Sequence, residues 1–167
     1  SGSSMGVPRA DGFFGNCDPK NPKNYRTRCS ALIKFEKENI LIDTSPDLRN
    51  QLLSNKIKTI DKIFYTHLHA DQTHGINDLR PFFLKKEKQI PVYANIKTSN
   101  YLYSTFKYCF KSSYGYPSTL KLNKLKRKHI IKKKNKKIII QSIPVKHGKI
   151  ESTCYIINQK LAYISDI

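Results

Sequence analysis

Two histidines and an aspartate lie close together in the segment THLHADQTHG, residues 66–75. His67 and His69 alternate along the chain, so their rings can point the same way, and Asp71 follows two residues later. Imidazole nitrogens and carboxylate oxygens suit zinc, manganese or iron, whereas a purely structural zinc site usually includes thiolates. The pattern predicts a catalytic metal site with one coordination position open for water.

The alternative interpretation of this segment is a polar turn that happens to carry two histidines. Two further ligand-type residues favour the metal site, because His147 follows a predicted strand at residues 138–145 and Asp166 follows one at residues 161–165. Ligands at the ends of strands can meet where the loops of a sheet meet. We therefore expect both residues to converge on the histidine pair.

Alternating strands and helices must position these side chains. We predict strands at residues 31–35, 40–42, 60–65, 90–94, 138–145, 153–157 and 161–165, the first two as a hairpin. We predict a helix capped by Thr44 or Ser45 with Pro46 in its first turn, a short helix that ends at Leu79, and a helix over residues 98–110. The pattern indicates an α/β fold of α+β layered type with mixed sheets.

The composition limits the class of protein. A chain of 167 residues with 38% hydrophobic content can bury one core, so we predict a single domain over residues 1–167. No apolar run is long enough for a membrane helix and no signal peptide is visible, which predicts no membrane partner. Four cysteines without a CxxC pair favour a reducing, cytoplasmic location.

The charge of the chain leaves two interpretations open. A formal net charge of +19 attracts phosphate-bearing partners. A lysine-rich composition is also typical of a solvated surface, and the basic segment 121–137 reads either as a charged surface loop or as a weak helix-strand segment. Nucleic acid therefore stays open as a partner, as does a homodimer.

The segment THLHADQTHG resembles the H-x-H-x-D-H signature of metallo-β-lactamase-fold hydrolases. LIDTSPDLRNQLL, residues 41–53, resembles the segment that ends an early strand of that family with an aspartate, here Asp43. GSSMGVPRADGFFGNCDP and YRTRCSALIKF resemble the branch that contains the phosphoribosyl 1,2-cyclic phosphodiesterase of phosphonate breakdown. The resemblance spans nearly the whole chain and implies an αββα sandwich that lacks its first strand and its C-terminal part.

The resemblance also implies roles for single residues. His67, His69 and His147 would hold one metal, Asp71 would help to hold a second, and Asp166 would bridge both. Gln72 departs from the family pattern because it stands where the family has a histidine. An amide oxygen is a weaker ligand for a transition metal, so the second site is expected to be weak, shifted, or selective for manganese.

Further roles concern the surroundings of the ligands. Asp43 is expected to contact the residues that hold the metal, not the metal itself. Asp71 is the candidate to orient or deprotonate the attacking water. His74 is either a substitute ligand or a hydrogen-bonding residue at a helix start. Arg80, which closely follows the metal-binding segment, is the candidate to bind the phosphate of the substrate.

The sequence thus predicts a hydrolase with one or two divalent ions, zinc or manganese, that cleaves a cyclic or small phosphodiester with a metal-activated hydroxide. One alternative is a tRNA-processing or other RNA nuclease of the same fold. The other is a non-catalytic or biosynthetic accessory protein with a degraded metal site. The exact substrate, the native metal and the oligomeric state do not follow from the sequence.

Overall fold

A computed structural model describes residues 3–167, and residues 1 and 2 lie outside the described residues. Five strands form one sheet in sequence order: β1 (Ala31–Phe35), β2 (Glu38–Ile42), β3 (Lys62–Phe64), β4 (Ile90–Ala94) and β5 (Leu120–Lys124). Four strands form a second, antiparallel sheet: β6 (Lys128–Lys133), β7 (Lys136–His147), β8 (Ile150–Ile157) and β9 (Leu161–Tyr163).

The helices connect the strands of the first sheet. They are α1 (Leu48–Ser54), α2 (Ala70–Thr73), α3 (Arg80–Lys86), α4 (Ile96–Thr105) and α5 (Lys107–Phe110), with 3-10 turns at Pro22–Asn24 and Ile76–Leu79. Strands β2 to β5 are parallel, whereas β1 and β2 form the predicted antiparallel hairpin. The carboxyl ends of β2 to β5 therefore lie along one edge of the sheet. None of the helices in the described part of the chain is long and apolar enough to cross a membrane.

The first sheet has an apolar core on each of its two faces, and for this reason the sequences of its strands are nearly continuous apolar runs. One face of this sheet, with Leu41 and Ile63, packs against the helices through Leu48 and Leu102. The other face packs against the second sheet, with Phe64 against Tyr155. The described residues thus form a helix layer and two sheet layers, and the predicted mixed α/β class is confirmed.

Several elements differ from the prediction. Helix α1 begins at Leu48, and Asp47, not Thr44 or Ser45, is its N-cap residue, so Pro46 precedes the helix. The predicted helix over residues 98–110 is divided at Phe106, whose φ of −117° and ψ of 39° are not helical. Helix α3 was not predicted. The apolar residues of α3, Phe82, Phe83 and Leu84, lie in one run without clear helical periodicity.

The basic segment 121–137 carries most of β5 and β6 and the start of β7, so the surface-loop interpretation is wrong. Its few apolar residues decide this, since Leu122 packs against the core between the helices and the first sheet, and Ile131 is buried in the core between the two sheets. Strand β7 also runs through Pro144, which a central strand would not normally tolerate. Pro144 pairs with Thr153 of β8, but the pairing of β7 with β6 ends at Gln141, so the missing N–H of the proline breaks no ladder.

Candidate metal site

Three imidazole rings from two distant parts of the chain meet at one point. His67 and His69 follow β3, and His147 is the last residue of β7. The His69 Nδ1 atom lies 3.1 Å from His67 Nε2 and 3.4 Å from His147 Nε2, and the ligand atoms of all three lie within 4.8 Å of one another. Two nitrogens bound at about 2.0–2.1 Å to one tetrahedral ion would lie about 3.3 Å apart, so the residues fit a metal ion.

Burial keeps the innermost of the three rings in the form that binds a metal. His67 is fully buried, and desolvation lowers its pKa to about 4. The neighbouring rings of His69 and His147 act in the same direction, while the carboxylate of Asp166 opposes them. The ring is therefore neutral at pH 7, as metal ligation requires.

A buried hydrogen-bond chain fixes which nitrogen of His67 faces the site. Thr66 donates from its backbone N to Asp43 Oδ1 at 2.7 Å and from its hydroxyl to Asp43 Oδ2 at 2.8 Å. Since that hydroxyl has one hydrogen, its oxygen accepts from the His67 Nδ1–H, 3.0 Å away. The lone pair of His67 is then on Nε2, the nitrogen that points to His69.

Asp43 holds this chain in place at the end of β2. Its backbone φ of 60° lies in the left-handed region, which aspartate tolerates better than most residues. Burial raises the pKa of its carboxyl to about 8, although the two bonds from Thr66 favour the charged form, and the charges of Asp71 and Asp166 raise the pKa further. A cation bound at the histidines would favour the ionised carboxylate.

Backbone hydrogen bonds join the loop after Asp43 to the histidine segment, residues 66–75. The Thr44 backbone N–H donates to the Gln72 carbonyl at 2.7 Å, and the Gly75 N–H donates to the Thr44 carbonyl at 2.9 Å. A Cβ atom on Gly75 would lie 2.0 Å from the carbonyl oxygen of Ser45, so this contact requires glycine. The close approach keeps the segment in a single position.

Three oxygen- or amide-bearing residues lie beside the histidines. Gln72 donates from Nε2 to Asp71 Oδ2 at 2.8 Å and to Asp166 Oδ2 at 3.4 Å, and Asp166 Oδ2 lies 3.4 Å from His67 Nε2. Gln72 is buried, and its Oε1 has no hydrogen-bond partner among the described residues. A buried oxygen without a partner is unfavourable unless something else binds it, and a cation would do so.

His74 and Arg80, also predicted to lie at the site, make their contacts with other residues. The His74 ring packs against Phe106 at 5.4 Å between centroids, and its Nδ1 lies 3.1 Å from the Thr73 hydroxyl. Its contacts agree better with a hydrogen-bonding role than with a substitute ligand. The Arg80 guanidinium lies over the ring of Tyr116, 3.9 Å from the centroid, so its role in substrate binding stays a prediction.

The sequence reasoning missed the residues that surround the ligands. Thr66 links Asp43 to His67, Ser165 donates to the Thr66 hydroxyl at 3.2 Å, and the Ser152 hydroxyl lies 3.5 Å from His67 Nδ1. Thr66 is visible as the first residue of the histidine segment. Its partner is 23 residues away, however, and no local pattern indicates that contact.

Comparisons with known proteins show the family and the fold of this chain. The profile of the beta-lactamase superfamily domain matches residues 38–167. A crystal structure of a diphosphatase from the PhnP family is 33% identical, with a TM-score of 0.77, over 94% of this chain and 59% of that one. Human tRNase Z, short form, is 18% identical, with a TM-score of 0.58, over 82% of this chain and 61% of that one. Zinc-bound PqqB from Methylobacterium extorquens is 15% identical, with a TM-score of 0.59, over 95% of this chain and 59% of that one.

Among curated proteins, an octanoyltransferase of Porphyromonas gingivalis (strain ATCC BAA-308 / W83) is 30% identical over 168 residues. The match includes 100% of this chain but 33% of that protein, so the chain spans about a third of its length and the octanoyl transfer is not carried over. The tRNase Z and PqqB structures show the fold alone. The profile match and the diphosphatase confirm the predicted resemblance: the chain belongs to the beta-lactamase superfamily domain family and has the metallo-β-lactamase fold.

Proposed function

We propose that the protein is a metal-dependent hydrolase whose substrates are phosphodiesters. The convergence of the His67, His69 and His147 nitrogens at the spacing of ligands on one ion carries this proposal. The similarity to a diphosphatase of the PhnP family, at 33% identity, supports phosphorus chemistry rather than attack on a carbonyl.

In this proposal the three histidines hold the first ion, and Asp166 lies where it could bridge to a second. Asp71 and the unpartnered Oε1 of Gln72 are the remaining candidates for the second ion, zinc or manganese. When bound, such ions activate a water and neutralise charge on phosphoryl oxygens.

The chain's own residues would orient the attacking water and hold protons at defined atoms. Asp71 accepts a hydrogen bond from the Gln72 amide, which fixes the direction of one carboxylate oxygen and leaves the other to orient or deprotonate the attacking water. The Asp43 and Thr66 chain keeps the proton of His67 on Nδ1, away from the site.

The basic hairpin of β6 and β7 favours a second candidate, an RNA nuclease. Five lysines lie in its turn region, and Glu38 and Glu36 pair with two of them, Lys133 and Lys136. The remaining three, Lys132, Lys134 and Lys137, are exposed. A salt-sensitive affinity for RNA would distinguish this candidate.

Metal analysis of the full-length protein, joined to assays with bis(p-nitrophenyl) phosphate and a five-membered cyclic phosphate, tests the proposal. We expect at least one zinc or manganese per chain and hydrolysis of both substrates. His147→Ala should lose metal and activity together. His129→Gln is the control, because His129 packs against Phe64 and Tyr93 and does not belong to the group of three converging histidines. Failure of the wild-type protein to retain any metal would contradict the proposal and favour the accessory-protein alternative.

A further inference from the structure

A cleft of ≈ 630 Å³ lies between the two sheets. One wall is formed where β4 and β5 end, with Ala94 and Leu122, and the opposite wall by β7 and β8, with Pro144 and Thr153. Its size and its largely apolar walls are those of a small-molecule site. Ile96 at its rim is 74% exposed, which leaves an apolar side chain ready for a further contact.

Two basic side chains, Lys124 and Arg127, line this cleft. Residues 88–150 include sixteen lysines and arginines and no aspartate or glutamate. Lys124 and Arg127 line the cleft, are exposed, and form no ion pair with any described residue. Glu151 is the one acidic residue in the lining, and Lys146 lies opposite it in the pairing of β7 with β8. An anion is the complementary ligand.

The cleft is close to the candidate metal site. Both lie at the carboxyl-end edge of the parallel strands, where ligands commonly bind in open α/β sheets. Thr153 in the wall donates from its backbone N to the Thr66 carbonyl at 2.9 Å, directly before His67. Pro144 precedes His147 by three strand residues, roughly 10 Å along β7. One substrate could contact both places.

We propose that this cleft binds the ring-bearing part of the substrate, a flat group linked to an anionic one as in a nucleotide, with Lys124 and Arg127 contacting its negative charge. The apolar wall residues, such as Leu122 and Pro144, can pack against the ring, and the two cationic side chains favour a ring that carries an anionic group. This proposal rests on the proposed function for the phosphodiester that the metal site would cleave. The binding step itself does not require the metal.

Binding of AMP to the metal-free, full-length protein, followed by titration calorimetry or NMR, tests the proposal. Arg127→Gln should weaken AMP binding tenfold or more, and Arg127→Lys should recover most of it. Lys132→Gln removes the same charge from the exposed hairpin and should change AMP affinity less than twofold. Ile96→Asp places a negative charge at the rim, at a helix N-terminus that tolerates it, and should weaken AMP binding strongly.

Steady-state assays separate this proposal from the function of the metal site. With the metal present, Arg127→Gln should raise KM for a nucleoside 2′,3′-cyclic phosphate, whereas Lys132→Gln should leave kcat/KM for both this substrate and bis(p-nitrophenyl) phosphate within twofold. Equal effects of Arg127→Gln and Lys132→Gln on AMP binding, or no detectable AMP binding by the wild-type protein, would overturn the cleft assignment. If the wild-type protein binds AMP as expected but hydrolyses neither substrate, the cleft assignment stands and the proposed function fails.

Discussion

Replacement of Thr66 by valine tests the hydrogen-bond chain behind the metal site. Valine has nearly the shape of threonine but lacks the hydroxyl, whose oxygen contacts Asp43 Oδ2, His67 Nδ1 and Ser165 Oγ at 2.8, 3.0 and 3.2 Å. All three contacts end together. The Ser152 hydroxyl oxygen lies 3.5 Å from His67 Nδ1, which is too long to replace the lost bond.

Two effects of different size follow from this loss. The buried carboxyl group of Asp43 keeps its bond with the Thr66 backbone N–H but loses its bond with the Thr66 hydroxyl, so we expect the metal-free protein to be destabilised by about 1–3 kcal/mol. The proton of His67 is no longer held on Nδ1, and loss of such an outer partner typically weakens metal affinity about 10–100-fold.

Chelator competition with zinc measures the affinity, and urea unfolding of the metal-free protein measures the stability. Thr66→Ser keeps the hydroxyl and should restore zinc affinity to within a few-fold of the wild type. A folded Thr66→Val protein that binds zinc as tightly as the wild type would refute the role assigned to this chain. Equal loss in the valine and serine variants would refute it as well, because packing of the methyl group would then be the cause.

Three further predictions concern other parts of the molecule. Gly75→Ala should lower the free energy of unfolding, measured with urea, by about 3 kcal/mol, because the new Cβ would lie 2.0 Å from the Ser45 carbonyl oxygen. Gly115→Ala is the control: its Cβ would meet open space, and its φ of 74° should cost about 1–2 kcal/mol in the same assay. Gln72→His should raise occupancy of the second metal in zinc and manganese titrations, since imidazole is the better transition-metal ligand, and unchanged or lower occupancy would show that Gln72 does not stand at that site. Neutralising five lysines together should weaken non-specific RNA binding but leave hydrolysis of a small cyclic phosphodiester nearly unchanged, because physiological salt screens charges more than about 8 Å apart. The five are Lys132, Lys133, Lys134, Lys136 and Lys137. Selective loss of precursor tRNA cleavage would favour the nuclease instead.

Local patterns predicted much of the first sheet. Strands β1 and β4 have the predicted bounds, and the histidine pair follows a buried strand as expected. These elements are encoded by short segments whose burial is evident from their own composition. The basic segment was harder to predict, because many lysines surround the few residues that pack into the cores, such as Leu122 and Ile131.

The sequence by itself therefore determined the family, the mixed α/β class and the identity of the residues that can bind a metal, because these depend on residue types within short spans. Only the tertiary structure decided which of them meet. His147 reaches His69 across 78 residues because β7 of the second sheet ends beside the loop after β3. Thr66 meets Asp43 because β2 and β3 are neighbouring parallel strands that end together, and the cleft lined by Arg127 exists only because the ends of β4 and β5 face β7 and β8 of the other sheet. Such contacts arise from strand pairing between distant segments, which no local pattern contains.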